Sequence, residues 1–302
     1  MNKPNCRFCK AEPSKQSIKG DFVFGGRLEQ KFWQCDECQT IYLYPPSSEE
    51  EEIAFYKQEF EIYMGKRSAQ DKDWSSPEKH FQSNQGEMKR RMDMLENYIS
   101  KGQKILEVGC SSGFMLSALK EKGADVYGID PSEGFIEYVK ANGISVYKNL
   151  LDLNKDFNQK FDIIIHYYVL EHIREPLEFI QSYMKLLNEN GKMIFEVPCA
   201  TDPLVELYKV PAFDKFYWSV AHHWYFNKES LTALLGKSGL KFQLFSEQRY
   251  DLSNHITWML DGKPGGLGRF DNIFGPDLDE LYKVQLKKSW YCDTLIAILE
   301  KG

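Results

Sequence analysis

The 302-residue sequence has no long hydrophobic run and no excess of positive charge. No segment approaches the ~18 consecutive apolar residues of a membrane-spanning helix, so no membrane partner is expected. Asp and Glu number 44 against 38 Lys and Arg, a net charge of −6, whereas proteins that bind nucleic-acid phosphates usually present a basic face. Residues 1–6 lack the apolar core of a signal peptide, which favours a cytoplasmic location. A nucleic-acid partner is therefore not expected, and the oligomeric state stays open.

Cysteine is scarce beyond the N-terminal segment, which holds four of the seven cysteines as Cys6-x-x-Cys9 and Cys35-x-x-Cys38. Two such pairs bring four thiolates together tetrahedrally, as in structural zinc sites. Two disulfides are the alternative, which a reducing cytoplasm disfavours. Residues 1–46 are therefore predicted to form a small module whose folding energy comes from Zn²⁺, with no coordination position left for substrate.

A strand, a glycine turn and a helix are predicted in succession from Lys104 onward. An apolar run ends at Gly109, passes through small residues to Gly113 and resumes at helical spacing. Such a turn can place backbone N–H groups against a ligand, although glycines also make ordinary turns. A second predicted strand ends at Asp130, 17 residues after Gly113, where an acid can bond both hydroxyls of a ribose. The small residues fall at every second position, unlike the Gly-x-Gly-x-x-Gly loop of nicotinamide-binding folds.

Strands and helices alternate from residue 104 to about residue 200. This alternation predicts an α/β fold, a Rossmann-like three-layer sandwich whose mostly parallel sheet binds ligands at the carboxyl ends of its strands. The predicted strands are 104–109, 125–130, 144–148, 161–166 and 192–197, with a final pair at 241–245 and 294–299.

Four segments within residues 80–245 occur in the order found in class I S-adenosylmethionine (SAM)-dependent methyltransferases, and the chain resembles that family. Its Glu107-x-Gly109-x-Ser111-x-Gly113 is similar to the loop that holds the methionine end of SAM. Ser111 stands where glycine is usual, so no positive φ is expected there. The resemblance implies an antiparallel edge hairpin, SAM as cofactor and S-adenosylhomocysteine as product. It also implies that the following residues bind the cofactor: Glu107, Gly109, Cys110, Ser111, Gly113, Asp130, Pro131, Asn149, Leu150 and Tyr168.

The N-terminal module also resembles the zinc-binding portion of sugar methyltransferases from polysaccharide and deoxysugar pathways. These enzymes carry a His-x-x-aromatic-Phe segment near the acceptor, and His223-Trp224-Tyr225-Phe226 is similar to it. The resemblance implies a sugar-like, nucleotide-linked acceptor and makes His223 the first candidate for the general base, a role that suits histidine at neutral pH. Further catalytic candidates, each with a purely structural alternative, are His222, Glu171, His172 and Tyr168.

The remaining histidines are assigned mainly structural roles. His80 and His255 are expected at the surface, and His166 falls in a predicted strand as either a core or a functional residue. The predicted domains are the zinc module (1–46), a helical connection (47–100) and a methyltransferase domain (101–302) with an aromatic segment (200–226) and an insertion (250–290).

Three functions are compatible with these features. The leading hypothesis is methyl transfer from SAM to a small, sugar-like acceptor. The second is methylation of RNA or protein docked by the zinc module, which needs a basic or acceptor-binding face that the sequence does not show. The third is a non-catalytic SAM-binding subunit that assembles through the module. The sequence does not distinguish O-, N- and C-methylation, and Glu171 leaves divalent-metal assistance open.

Overall fold

A computed structural model describes residues 3–55, 63 and 73–301 of the chain. The strands are β1 (Gln16–Gly20), β2 (Lys31–Cys35), β3 (Ile41–Tyr44), β4 (Lys104–Val108), β5 (Asp125–Ile129), β6 (Ser145–Tyr147), β7 (Phe161–Tyr167), β8 (Leu187–Pro198), β9 (Trp224–Tyr225), β10 (Lys241–Glu247) and β11 (Thr294–Glu300). Within these ranges, the helices are α1 (Glu49–Ala54), α2 (Pro77–Ser83), α3 (Gln85–Leu95), α4 (Phe114–Glu121), α5 (Glu133–Ala141), α6 (Leu150–Asp156), α7 (Pro176–Met184), α8 (Pro203–Glu206), α9 (Pro211–Tyr217), α10 (Lys228–Gly236), α11 (Leu252–Asp261) and α12 (Asp271–Lys288).

The main sheet has seven strands in the order β10-β11-β8-β7-β4-β5-β6. The strands from β8 to β6 pair in parallel, and β11 pairs antiparallel with both β8 and β10. The predicted α/β sandwich with an antiparallel edge hairpin is therefore confirmed. The loops after β4, β5 and β7 share one edge of this sheet, where ligands bind in open α/β folds.

The central strands are apolar on both faces because helices cover both sides of the sheet. Ile105 and Leu106 in β4, and Ile164 and Ile165 in β7, have no exposed surface. β8 begins five residues before the predicted start, at Leu187, because Leu187 already pairs with Phe161 before the register shifts at the next pair.

The N-terminal sheet contains β1, β2, β3 and β9, so its last strand comes from the aromatic segment some 180 residues further along the chain. The pattern around Gly25-Gly26 predicts a hairpin between residues 22–24 and 28–33, and this prediction is wrong, since β1 instead pairs with β2. Phe24 turns away because its backbone N–H donates to Trp218 O at 2.7 Å and its carbonyl accepts from Val220 N–H at 3.1 Å. A long-range contact thus overrides the local strand propensity of this segment.

The predicted insertion folds as α11 and α12 between the two strands of the edge hairpin. α12 is kinked at Gly275, where φ is +67°. His255 of α11 is 1% exposed, so its expected surface position is wrong. The helix packs against α12, and His255 Nδ1 lies 2.5 Å from the hydroxyl of Tyr282.

The acidic segment after residue 46 begins α1 with a capping box, in which the hydroxyl of Ser48 accepts from Glu51 N–H at 3.2 Å. The apolar spacing of this segment also predicts that Tyr56 and Phe60 lie on the buried face of the helix, but residues 56–62 and 64–72 of the predicted connection lie outside the described residues. Within the predicted helical connection, the apolar spacing of residues 89–100 predicts a helix, which in the structure runs over Gln85–Leu95. In the described part of the chain, no helix is long and apolar enough to cross a membrane.

Candidate methyl-transfer site

The loop between β4 and α4 has a backbone that requires glycine at two positions. Gly109 has a φ of +73° and Gly113 a φ of +71°. A Cβ on Gly109 would lie 2.6 Å from Val169 Cγ2, and one on Gly113 would lie 2.9 Å from Val139 Cγ2. Glycine is therefore required at both positions by the positive φ and by the close packing of the loop against Val169 and Val139.

Ser111 has a positive φ of +43°, so the expectation of an ordinary backbone there was wrong. Asp130 supplies the reason, because its Oδ2 accepts from Ser111 N–H at 2.7 Å. Its Oδ1 accepts from Ser132 N–H at 2.9 Å. The carboxylate at the end of β5 thus holds the glycine loop in this conformation.

His80, in α2, packs against the glycine loop, so the prediction that it lies at the surface was wrong. Its side chain is 3% exposed, and its Nδ1 lies 2.8 Å from the hydroxyl of Ser112. The imidazole packs against the rings of Phe114 and Phe135. α2 carries His80 to this position by packing against α5, a contact that no local sequence pattern predicts.

Glu107 and Arg91 face each other beside this loop. Burial raises the pKa of Glu107 to about 8, and the charge of Arg91 opposes that rise. Glu107 Oε2 has no hydrogen-bond partner among the described residues. Arg91 is 6% exposed, stacks 4.0 Å above the Tyr167 ring and donates through Nε to Glu196 at 3.2 Å. Arg91 was not among the candidates from the sequence, because its position on α3 carries no motif.

The other predicted cofactor residues lie at the same edge of the sheet. The side chain of Cys110 is buried against Gly128, so closely that a Cβ on that glycine would lie 2.7 Å from Cys110 Sγ. Only the backbone of Cys110 is therefore available to a ligand. Asn149 Oδ1 caps α6 by accepting from Asp152 N–H at 2.9 Å. Leu150 follows it half-buried, and Pro131 is exposed beside Asp130.

Tyr168 follows β7 with a φ of +58°, a conformation that is costly for a bulky residue. Its N–H donates to Glu196 O at 2.9 Å, and its hydroxyl lies 2.6 Å from Thr294 Oγ1. Burial raises the pKa of its phenol, which therefore stays neutral. These contacts place the ring between β7 and the edge hairpin.

Glu171, His172 and His222 come together just after β7, with their potential ligand atoms within 4.8 Å of one another. Glu171 is fully buried, and burial raises its pKa to about 8. Neither carboxyl oxygen has a hydrogen-bond partner in the parts of the chain that the structure describes, and Oε1 lies 4.0 Å from His172 Nε2. His172 donates through Nδ1 to Ala221 O at 2.8 Å, and its ring packs against that of His222.

His223 connects this cluster to the N-terminal segment. Its N–H donates to Glu171 O at 2.8 Å, and its Nε2 lies 3.0 Å from Glu52 Oε1. Burial, together with the positive charges of Arg7 and Arg174, lowers the pKa of His223 to about 3. The ring is therefore neutral, and because a carboxylate only accepts, Nε2 carries the proton and Nδ1 is an unprotonated acceptor. Nδ1 is buried and has no partner among residues 3–55, 63 and 73–301.

His166 lies in the middle of β7 and stacks on Phe195 at 4.5 Å. Burial lowers its pKa to about 3, and neither ring nitrogen has a partner within the described ranges. Its contacts are those of a core residue.

The four N-terminal cysteines form one cluster, in which all Sγ atoms lie within 4.8 Å of one another. Cys6 and Cys38 Sγ are 3.6 Å apart, and Cys9 and Cys35 Sγ are 3.7 Å apart. Four sulfurs at about 2.3 Å from a tetrahedral zinc ion would be about 3.8 Å apart, so this spacing fits Zn²⁺. Gln16 Nε2 lies 3.6 Å from Cys35 Sγ, as expected of a donor that supports a thiolate ligand.

The sheet order, the glycine loop after β4 and the acid after β5 together define the fold of class I SAM-dependent methyltransferases. The family model described as "Methyltransferase domain" matches residues 79–243, more than half of the chain, and the chain belongs to this family.

Among curated proteins, the chain is similar to the ubiquinone biosynthesis O-methyltransferase of Coxiella burnetii, with 33% identity over 112 residues, 35% of this chain and 48% of that protein. The chain thus spans about half the length of the first curated relatives it matches. The protein of the same name from Azorhizobium caulinodans is 25% identical over 183 residues, 54% of this chain and 72% of that protein.

Among solved structures, the fold is similar to magnesium protoporphyrin IX methyltransferase from Synechocystis PCC 6803 with bound S-adenosylhomocysteine. The TM-score is 0.51 at 13% identity, covering 84% of this chain and 99% of that one. At this identity the likeness shows the fold alone.

Proposed function

We propose that this protein transfers a methyl group from SAM to a hydroxyl of a small, sugar-like acceptor, with His223 as the general base. The observation that carries the proposal is the contact between the buried His223 and the half-buried Glu52, whose Nε2 and Oε1 lie 3.0 Å apart. Glu52 fixes the tautomer whose Nδ1 can take a proton, and Nδ1 has no partner in the described chain.

The glycine loop fits SAM. Gly109 and Gly113 give the loop its tight backbone conformation at the start of α4, and Asp130 stands at the end of β5, where an acid can bind both ribose hydroxyls. Arg91 presents a positive charge to the carboxylate of the methionine end. Glu107, whose raised pKa of about 8 leaves it mostly protonated at neutral pH, presents an uncharged carboxyl group to the amino group. The cofactor, when bound, supplies an already activated methyl group, so the protein mainly has to align the acceptor oxygen with it.

The acceptor side has a donor and a base. A raised pKa of about 8 keeps Glu171 mostly protonated at neutral pH, so its O–H can donate to an acceptor oxygen. The lowered pKa of His223 keeps Nδ1 unprotonated well below neutral pH. A pKa of about 3 makes this nitrogen a weaker base than an ordinary histidine, so its role depends on its position against an acceptor proton that leaves as the new bond to carbon forms.

The cysteine cluster is proposed to hold structural Zn²⁺ and, through the shared sheet, to position His223. Leu43 in β3 donates its N–H to His223 O at 3.0 Å. Arg7, between the first two cysteines, stacks 4.5 Å above Trp224 and donates to Leu43 O at 3.3 Å. Metal binding would therefore order the strand that carries the base.

A phenolic acceptor is the second candidate, favoured by the names of the curated relatives, which are ubiquinone biosynthesis O-methyltransferases. The same base and donor would serve a phenolic hydroxyl, whose lower pKa of about 10 makes proton removal easier. Identifying the methylated product as a sugar or a phenol would distinguish the two candidates.

The test uses SAM labelled in its methyl group and a desalted cell extract divided into small-molecule and macromolecular fractions. We expect label in small molecules, a 10²–10⁴-fold loss of turnover in His223→Ala and little change in its affinity for S-adenosylhomocysteine. Glu52→Gln should lose less, because the imidazole remains. Asp130→Ala removes the carboxylate that is proposed to bind the ribose, so it is the control for loss of cofactor binding.

Unchanged turnover in His223→Ala would refute the assignment of the base. Label in RNA or protein would overturn the small-molecule proposal in favour of macromolecular methylation. Binding of S-adenosylhomocysteine without transfer to any fraction would identify a non-catalytic subunit.

A further inference from the structure

Arg249 lies at the ligand-binding edge of the main sheet, immediately after β10. Glu247 at the end of β10 pairs with Thr294 in β11, and Thr294 pairs with Pro198 at the end of β8. The hydroxyl of Thr294 contacts Tyr168 at 2.6 Å. Arg249 therefore stands on the hairpin side of Tyr168, away from the glycine loop and next to the start of the helical insertion.

Asp293 holds Arg249 in position, and both oxygens of its carboxylate accept two hydrogen bonds each. Its Oδ1 accepts from Arg249 Nε at 3.1 Å and from the hydroxyl of Thr294 at 2.6 Å. Its Oδ2 accepts from the backbone N–H groups of Arg249 at 2.8 Å and of Tyr250 at 3.0 Å. Four donors saturate this carboxylate, so it anchors the guanidinium by one edge and leaves the other edge available.

The guanidinium of Arg249 lies 4.6 Å from the ring centre of Tyr168 and 5.0 Å from that of Tyr250. The side chain is 19% exposed. Within the described ranges neither Nη atom donates a hydrogen bond, although together they carry four N–H groups. A planar fork held by aromatic rings and one anchor is preorganised for two parallel bonds to an oxyanion.

The nearby carboxylates already have their own cations. Glu87 and Glu196 are both bonded by Arg90, and Glu196 also accepts from Arg91. The three guanidiniums of this region are thus matched by three carboxylates, counting Asp293. Because these charges balance, an anion would bind Arg249 through its Nη donors and not through an excess of positive charge.

We propose that Arg249 binds an anionic oxygen group of the methyl acceptor, with a carboxylate as the best fit and a phosphate as the other source of the same chemistry. This inference rests on the proposed function and adds the charge of the acceptor to it. Arg249 is then a binding and specificity residue. The acceptor carries both the hydroxyl that is methylated and the anionic group that Arg249 binds.

The first experiment analyses the labelled product on an anion exchanger at pH 7 and again near pH 2. A carboxylate loses its charge at the lower pH because its pKa is about 3.3–4.3, whereas a phosphate ester keeps its first negative charge. Retention at pH 7 supports the proposal, and the behaviour at pH 2 identifies the source. A labelled product that is neutral at both pH values would overturn it.

Variants measure the contribution of Arg249 separately. Arg249→Met should raise the acceptor KM tenfold or more with little change in the affinity for S-adenosylhomocysteine, and Arg249→Lys should recover part of the loss. Arg269→Met is the matched control, because Arg269 lies in the insertion and pairs with Asp261. Equal acceptor KM values in Arg249→Met and wild type would contradict the proposal.

A binding experiment does not depend on turnover, so it tests Arg249 even if the proposed activity fails. Wild type with S-adenosylhomocysteine is melted in potassium acetate, phosphate or chloride at one ionic strength. We expect acetate or phosphate to raise Tm by about 2 °C over chloride in wild type and not in Arg249→Met. The same response in both proteins would overturn the proposal.

Discussion

Glu171 is a buried carboxyl group whose protonation should make the stability of this protein depend on pH. It is fully buried, and neither of its oxygens has a hydrogen-bond partner among the described residues. Burial raises its pKa from 4.5 to about 8. The folded state therefore holds this proton between those two pH values while the unfolded state has lost it.

The sign and size of the effect follow from this difference. The contribution of Glu171 is fully present below pH 4.5 and is lost as the pH rises through 8, because the folded state binds more protons. Each pH unit between these limits costs ~1.4 kcal/mol, so the free energy of unfolding should fall by about 2.5 kcal/mol from pH 5 to pH 7 through this group alone.

Glu171→Gln keeps the shape of the side chain and removes its titration. We expect urea unfolding, followed by tryptophan fluorescence, to show that the variant gains about 2.5 kcal/mol relative to wild type between pH 5 and pH 7. Other titrating groups, including Glu107, are common to both proteins and cancel in this difference. Glu121→Gln, at an exposed glutamate, is the matched control. Parallel stability curves for wild type and Glu171→Gln would refute the reasoning, since they would mean that Glu171 is ionised in the folded protein.

Three further predictions concern the cofactor loop and the cysteine cluster. Arg91→Met should lower the affinity for S-adenosylhomocysteine, measured by calorimetry, tenfold or more, because a hydrogen bond to a charged group contributes about 1.5–3 kcal/mol. The affinity for methylthioadenosine should not change, because this ligand lacks the carboxylate. An equal loss for both ligands would indicate a purely structural role. Gly109→Ala should lower the free energy of unfolding by about 1–3 kcal/mol, because its Cβ would meet Val169 at 2.6 Å. Adding Val169→Ala to Gly109→Ala should restore part of the lost free energy of unfolding. If the double variant is no more stable than Gly109→Ala, the clash is not the cause. Cys35→Ser should reduce bound zinc, measured by elemental analysis, from one ion per chain to near zero and lower Tm. Full zinc content in this variant would contradict the four-thiolate site.

The positions of the glycine loop and of Asp130 could be predicted because their signals are local. Parallel strands buried on both faces are apolar throughout, and the glycines that end them need conformations that other residues rarely adopt. Short-range patterns of this kind therefore identified β4, β5 and β7 to within a residue or two, and with them the ligand-binding edge of the sheet. The four-cysteine cluster was predictable for the same reason, since two short motifs bring its thiols together.

The residues missed or misplaced depend on contacts between distant parts of the chain. Ser111 takes a positive φ because Asp130 accepts its N–H across the sheet, and His80 is buried because α2 packs on α5. Nothing in the residues around Arg91 or Arg249 indicates that their side chains turn toward the site.

The amino-acid sequence by itself determined the class of fold, the edge of the sheet where ligands bind and the clustering of the four N-terminal cysteines. Only the tertiary structure decided that β9 completes the N-terminal sheet, that Glu52 reaches His223 and that Arg249 stands beside Tyr168. The physical reason is that backbone propensity and hydrophobic periodicity act over a few residues. The tautomer, charge and pKa of a buried group are set instead by neighbours that may be more than a hundred residues away in the chain.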